Sequence, residues 1–282
     1  MRGTVNDVDV ARFTRRAFAC GCVLLLPALL IASARTVAGQ AAATPPSAGA
    51  ADPALIEDLV AANRILVDQG VLDGYGHVSV RHNRAADRYL MSRSLAPELV
   101  TAADILEYDL DSNPVDARGR ATYLERFVHG EIYRARPDVR AVVHHHSPSV
   151  IPFGVTAVPL RPIYHMGAFL GDGVPVFEIR QTGGLTDLLI RNGALGRALA
   201  QTLGTKTTAL LRGHGAVVVG PTIVHAVARS VYMETNARLQ AQAIALGQVT
   251  YLDPEEARKA DASVSDTYAR PWELWKRKAL SR

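Results

Sequence analysis

The sequence predicts an α/β domain built on a central sheet that need not be purely parallel. Three observations lead there. An amphipathic helical pattern precedes a group of short β-type runs, after which helices and strands are mixed. Hydrophobic residues make up 48% of the chain and charged residues 21%, the balance of a globular protein, which excludes collagen-like, coiled-coil and largely disordered classes. The length of 282 residues suffices for one large domain or two small ones, and no internal repeat divides it.

The first helix is expected from Asp52-Pro53, an N-cap followed by a first-turn proline, up to Gly70, with Leu55, Ile56, Leu59, Ala62 and Leu66 at helical spacing. His77 to Arg81 alternates as a strand and Arg88 to Met91 is a brief second run. Ile105 to Leu110 ends at the turn Asp111-Ser112-Asn113-Pro114. Glu125 to Arg134 reads as a helix stopped at Arg136-Pro137. Val139 to His144 reads as a strand around the apolar run Ala141-Val142-Val143. A helix is predicted over Thr186 to Leu203. Strands over Thr207 to Leu211 and Ala216 to Val219 flank Gly213-His214-Gly215, and a long helix runs from Pro221 to Leu246. Residues 251–282 read as a C-terminal tail. Its Trp272 and Trp275 either pack on the chain's own core or cover a neighbouring subunit's site.

The N-terminus reads as an address. Arg15-Arg16, with Phe18 two positions on, precedes an apolar run from Ala19 to Ala34 and then small residues, with Thr36-Val37-Ala38 as a possible cleavage site. The run is interrupted by Pro27 and falls short of the ~20 residues of a membrane span. Residues 1–38 are therefore expected to be a twin-arginine-like export signal, 39–51 a linker, 52–250 the catalytic domain, and the location periplasmic. A retained extension on a cytoplasmic protein is the alternative. The formal net charge of +4 is concentrated in the signal, since the remaining residues carry 26 basic and 25 acidic side chains. No nucleic-acid partner is expected, and no membrane partner once the signal is cleaved. Both cysteines, Cys20 and Cys22, lie in the signal, so a disulfide framework, a zinc knuckle and a catalytic thiol are excluded elsewhere.

The nine histidines are not scattered. His144 and His146 are two apart at the end of a strand, which directs both to one face and His145 to the other. His214, between two glycines, offers a third imidazole. Three nitrogens with an open position suit a catalytic divalent metal. Zinc, manganese, cobalt and iron(II) all tolerate such a set. Glu125 is either a helix N-terminal acid, a fourth ligand, or an acid/base. His129 lies four residues further along the same helix face.

Taken in order, four segments resemble the class II aldolase/adducin family over roughly residues 55–250. They are Gly76 to Arg81, Glu125 to Tyr133, Arg136 to His146, and Leu210 to Gly215. The resemblance implies a single α/β/α three-layer domain with a mainly antiparallel or mixed sheet. It also implies homotetramers with sites at subunit interfaces, and a divalent metal, commonly Zn²⁺, held by His144, His146 and His214. Glu125 corresponds to the family's acid/base glutamate, and His165 falls roughly where its aldolases have an active-site tyrosine.

The departures bear on the substrate. The family's sugar-phosphate aldolases carry an Asn, a Thr-containing loop and a Ser-Ser pair that hold phosphate. Here His77, the loop Ser92-Arg93-Ser94-Leu95-Ala96-Pro97, and Tyr123-Leu124 stand in their places. Arg93, with Ser92 and Ser94, is expected to meet a carboxylate instead. These variants resemble the branch named for hydroxy-carboxy-muconic semialdehyde decarboxylases, from aromatic-compound breakdown. The expected function is a metal-dependent carbon–carbon lyase acting on a small non-phosphorylated hydroxy- or oxo-carboxylic acid. The cation would stabilise the enolate left as carbon dioxide departs, and Glu125, His77 or His165 would supply the proton. Aldol cleavage of a hydroxy acid or sugar acid is the first alternative, and a non-catalytic adducin-like binding protein the second.

Overall fold

The computed structural model describes residues 44–281. The predicted export signal and the first residues of the predicted linker lie outside the described residues. Of the remainder of that linker, Ser47 Oγ and the Ala48 amide bond to the Glu107 carboxylate, 2.6 and 2.8 Å away, along the edge of the sheet.

Helix α1 (Pro53–Asp68) starts where expected: the Asp52 carboxylate caps the Ala54 amide at 3.0 Å, and proline occupies the first turn. Three strands follow, β1 (His77–Arg81), β2 (Arg88–Ser92) and β3 (Ile105–Asp109). Next come α2 (Arg126–Ala135), β4 (Ala141–His145), the two-residue β5 (Val176–Phe177) and a helical turn α3 (Arg180–Gly183). The chain continues through α4 (Gly193–Leu203), β6 (Thr208–Leu211), β7 (Gly215–Gly220) and α5 (Ile223–Leu246). It closes with α6 (Pro254–Ser265) and α7 (Ala269–Leu280).

The seven strands form one sheet in the order β3-β2-β1-β4-β7-β6-β5, antiparallel at every pairing except β5 with β6. Alternation divides its side chains between two cores. Val78, Val80, Ala141, Val143, Leu210 and Val218 pack with α1, α5 and α7. Tyr89, Met91, Val142, Leu211, Val217 and Val219 pack with α2 and α4. The result is the mixed α/β/α sandwich expected.

Two elements depart from expectation. The helix read from Thr186 begins only at Gly193, because Asn192 caps the Leu195 amide at 3.0 Å and residues 186–192 run as an irregular segment. The tail is two helices joined to the first core. Trp272 and Trp275 are buried there, and Trp275 and Tyr268 both lie against Tyr232. Among the described residues no helix is long and apolar enough to cross a membrane.

Candidate metal centre

The site forms where β1, β4 and the β6–β7 hairpin end on the α2 side of the sheet. Register does the first part. His77 stands opposite His144, and His144 opposite Val217. His146 follows β4 directly. His214 sits in the turn between β6 and β7, where Gly213 takes φ +66° and Gly215 passes so close to β4 that a Cβ would lie 2.1 Å from the His145 carbonyl oxygen. Only glycine permits that approach.

His144, His146 and His214 thus converge with Glu125. One ligand atom from each lies within 4.8 Å of the others. His146 Nε2 is 3.2 Å from His144 Nε2 and 3.0 Å from His214 Nε2. Glu125 Oε2 is 3.5 Å from His144 Nε2 and 3.4 Å from His214 Nε2. Glu125 occupies the N-cap position of α2, yet its carboxylate makes no capping bond. It turns instead to the histidines, and its Oε1 accepts the Ile190 amide at 2.9 Å.

The donor set fits a divalent cation. His144 Nδ1–H donates to the Ala216 carbonyl at 3.1 Å and His214 Nδ1–H to the Leu188 carbonyl at 3.1 Å. These bonds fix the tautomers, so both Nε2 lone pairs point inward. Leu188 adopts φ +70°, a left-handed conformation unusual for leucine, in presenting that carbonyl. Lone pairs and a carboxylate brought this close repel one another unless a cation or shared protons lie among them. Protonation favours ligation at two of the four groups, while at His214 burial tends to lower the pKa and Glu125 raises it against that effect, a pull that a bound cation would replace. Burial tends to raise the Glu125 pKa, but His144 and then His214 overcome it and hold the carboxyl well below its usual range. Burial, followed by the charges of His144 and His214, pushes His146 down to about 4. At neutral pH the carboxylate is charged and His146 neutral, the states ligands require.

A cavity of about 330 Å³ opens beside the cluster. His77, Tyr123, Glu125 and His146 form its polar wall with Tyr75 and Ser94, and Leu95, Ala96, Leu124 and Leu189 its apolar wall. Among the described residues no Lys or Arg lines it.

The remaining predicted residues divide. His77 lies in the cavity wall, its ring 5.1 Å from that of His144. Ser94 lines the cavity, and Ser92 is buried behind it, 3.2 Å from the Tyr123 hydroxyl. Arg93 is drawn away: its Nε pairs with Asp104 at 2.6 Å, and it is not among the cavity residues. His165 is exposed at the start of a 3-10 turn, His165–Leu170, whose later residues are buried against α5 and α6, so this chain does not bring it to the cluster.

Sequence reasoning missed two supports and saw part of a third. Glu234 of α5 accepts hydrogen bonds from Ser147 and from the Ser149 amide and hydroxyl, anchoring the loop that follows His146. The Leu188 and Ile190 backbone groups belong to the segment misread as helix. His129 and Tyr133 were legible in part, since Glu125, His129 and Tyr133 form a polar stripe at four-residue spacing on one helix.

The family model of the class II aldolase and adducin N-terminal domain matches residues 57–241. The decarboxylase tropJ of Talaromyces stipitatus is 36% identical over 246 residues, 79% of this chain and 92% of that protein. A 3,4-dihydroxyphthalate decarboxylase of Arthrobacter keyseri is 31% identical over 208 residues, 68% of this chain and 79% of that one. Among solved structures, L-fuculose 1-phosphate aldolase from Glaciozyma antarctica PI12 superposes with a TM-score of 0.68 at 25% identity, covering 83% of this chain and 93% of that chain. The chain therefore belongs to the class II aldolase and adducin family, as a lyase of its decarboxylase branch.

Proposed function

We propose that the protein decarboxylates a small, non-phosphorylated hydroxy- or oxo-carboxylic acid, and that it depends on a divalent cation, zinc first, held by His144, His146, His214 and Glu125. The observation that carries the reading is the cavity wall. Among the described residues it has no Lys or Arg to hold a phosphate, its one charged group is Glu125, and Leu124 stands beside that glutamate. Apolar walls disfavour a hydrated carboxylate and favour neutral carbon dioxide, so Leu95, Ala96 and Leu189 assist its loss when the departing group faces them. A bound cation supplies an electron sink for the charge that carbon–carbon cleavage leaves behind. The names of the relatives support the same chemistry: one acts on 3,4-dihydroxyphthalate, an aromatic acid with adjacent oxygens. An acid of that kind, or hydroxy-carboxy-muconic semialdehyde, matches a cavity that is neutral apart from Glu125.

The test is carbon dioxide release from these two acids by purified protein loaded with each divalent cation in turn. Release that requires the cation and disappears in His146→Ala is the expected result. Formation of an aldehyde without carbon dioxide would instead favour aldol cleavage, the reading that the fuculose-phosphate aldolase likeness suggests. We propose further that residues 1–38 direct export to the periplasm. Reporter activity of an alkaline phosphatase lacking its own signal, fused after residue 51, tests that separately.

A further inference from the structure

The side chains behind His77 form a hydrogen-bonded row with a direction. His77 Nδ1 lies 2.6 Å from His129 Nε2, His129 Nδ1 lies 2.6 Å from Ser79 Oγ, and Ser79 Oγ lies 2.8 Å from the Tyr133 hydroxyl. All four residues are buried, so the row must satisfy its own hydrogens. A buried phenol hydrogen left without an acceptor is costly, and Ser79 Oγ is the acceptor within reach of the Tyr133 hydroxyl. Tyr133 therefore gives its hydrogen to Ser79, and Ser79 gives its own to His129 Nδ1. Burial, and then the charge of His144, bring the His129 pKa down to about 3, so this imidazole carries a single hydrogen. With Nδ1 accepting, that hydrogen is on Nε2 and goes to His77 Nδ1. His77 is left with its hydrogen on Nε2, a nitrogen with no hydrogen-bond partner among the described residues, on a side chain that lines the cavity beside Glu125 and His146.

We propose that His77 is a neutral hydrogen-bond donor to the substrate, its Nε2–H directed at an oxygen of the acid in the cavity, and that His129, Ser79 and Tyr133 are positioning residues that hold it in this tautomer. The proposal rests on the reading of the cavity as a carboxylic-acid site. It accounts for two features. His77 is paired across the sheet with His144, yet a nitrogen that carries hydrogen cannot ligate, so the cluster stops at three imidazoles. A cavity without Lys or Arg also still offers an oxyanion a donor. A neutral imidazole in that position stabilises charge growing on a substrate oxygen without surrendering its proton.

Histidine side-chain nitrogen NMR of the zinc-loaded protein tests this, with 2,3-dihydroxybenzoate as the probe. His77 is expected as the neutral tautomer protonated at Nε2, with that proton shifting as the probe binds. Ser79→Ala and Tyr133→Phe are expected to keep their zinc but mix the His77 tautomers. His77→Leu is expected to bind the probe about 10- to 100-fold more weakly, the loss of a hydrogen bond to a charged group, while His77→Gln, which keeps an N–H, stays close to wild type. A His77 hydrogen on Nδ1, zinc bound to His77 Nε2, or unchanged probe affinity in His77→Leu would overturn the proposal. None of these measurements needs turnover. An absence of carbon dioxide release from every acid tried would therefore defeat the functional reading alone.

Discussion

His144 and His145 are neighbours on one strand, both fully buried, and they do opposite things. His144 faces α2. Its Nδ1–H is tied to the Ala216 carbonyl and its Nε2 meets His146 and Glu125. His145 faces the other core. Its Nδ1 accepts the Ser147 amide at 3.3 Å, and its Nε2 has no partner among the described residues. Burial, then the charges of the two flanking histidines, push its pKa down to about 3. Residue type, burial and chain position are shared. What differs is the face, and with it whether a second nitrogen meets convergent polar groups or apolar side chains. A buried histidine becomes a ligand when something orients one nitrogen and other donors surround the second.

The sharpest way to break this comparison is to delete a ligand. His146→Ala is expected to abolish cation binding, measured by metal content, and to lower kcat more than about 1000-fold, while circular dichroism remains native. Glu125→Gln keeps the shape and removes the charge. The cation dissociation constant should rise about 10- to 100-fold. Unchanged affinity would make Glu125 a substrate-side group only. Glu234→Gln weakens the anchor behind His146 and should cost about 10-fold in cation affinity, with little change in thermal stability. His145→Leu is the counter-test. It removes an unsatisfied buried nitrogen at the cost of one acceptor, so the unfolding free energy should change by less than about 2 kcal/mol, with cation content intact. Loss of the cation in this variant would dissolve the distinction between the two faces.

Acid sharpens the comparison more gently. His129 and His145 have folded-state pKa values of about 3, below the ~6.5 of an unfolded histidine. Folding therefore favours their neutral forms. Their stabilising contribution is complete above about pH 6.5, erodes as the pH falls through the window down to about 3, and adds nothing further between pH 7 and 9. Denaturant midpoints across that range measure it, and His145→Leu should flatten the acid side of the curve.

Much of this was legible because local chemistry and fold agreed. The period-two pattern of β1 and β4 and the glycines around His214 specify strand, face and turn, and the three imidazoles follow from them. Segment 186–192 was misread because its apolar residues mimic a helix, and the Asn192 cap that starts α4 is a single residue within that pattern. Arg93 looked available because its partner, Asp104, stands eleven residues on, beyond any local rule. His165 was placed by a positional likeness alone, and within this chain its position is set by the packing of a turn on α5 and α6. Glu234 lies 85 residues from Ser149, and only tertiary structure joins them.

Segment 186–192 also governs how readily this enzyme could change its diet. The Leu188 carbonyl orients His214, the Ile190 amide holds Glu125, and Leu189 between them forms part of the cavity wall. Under the proposed function, substrate preference and cation affinity would thus both run through three consecutive residues. A replacement at Leu189 that admits a bulkier acid also disturbs the backbone that orients two ligands, so its effect will not add simply to that of a ligand mutation. Leu95 and Ala96 line the same space and hold no ligand. Mutational paths to new acids should therefore run through that loop first, because a change there can be selected without loosening the metal.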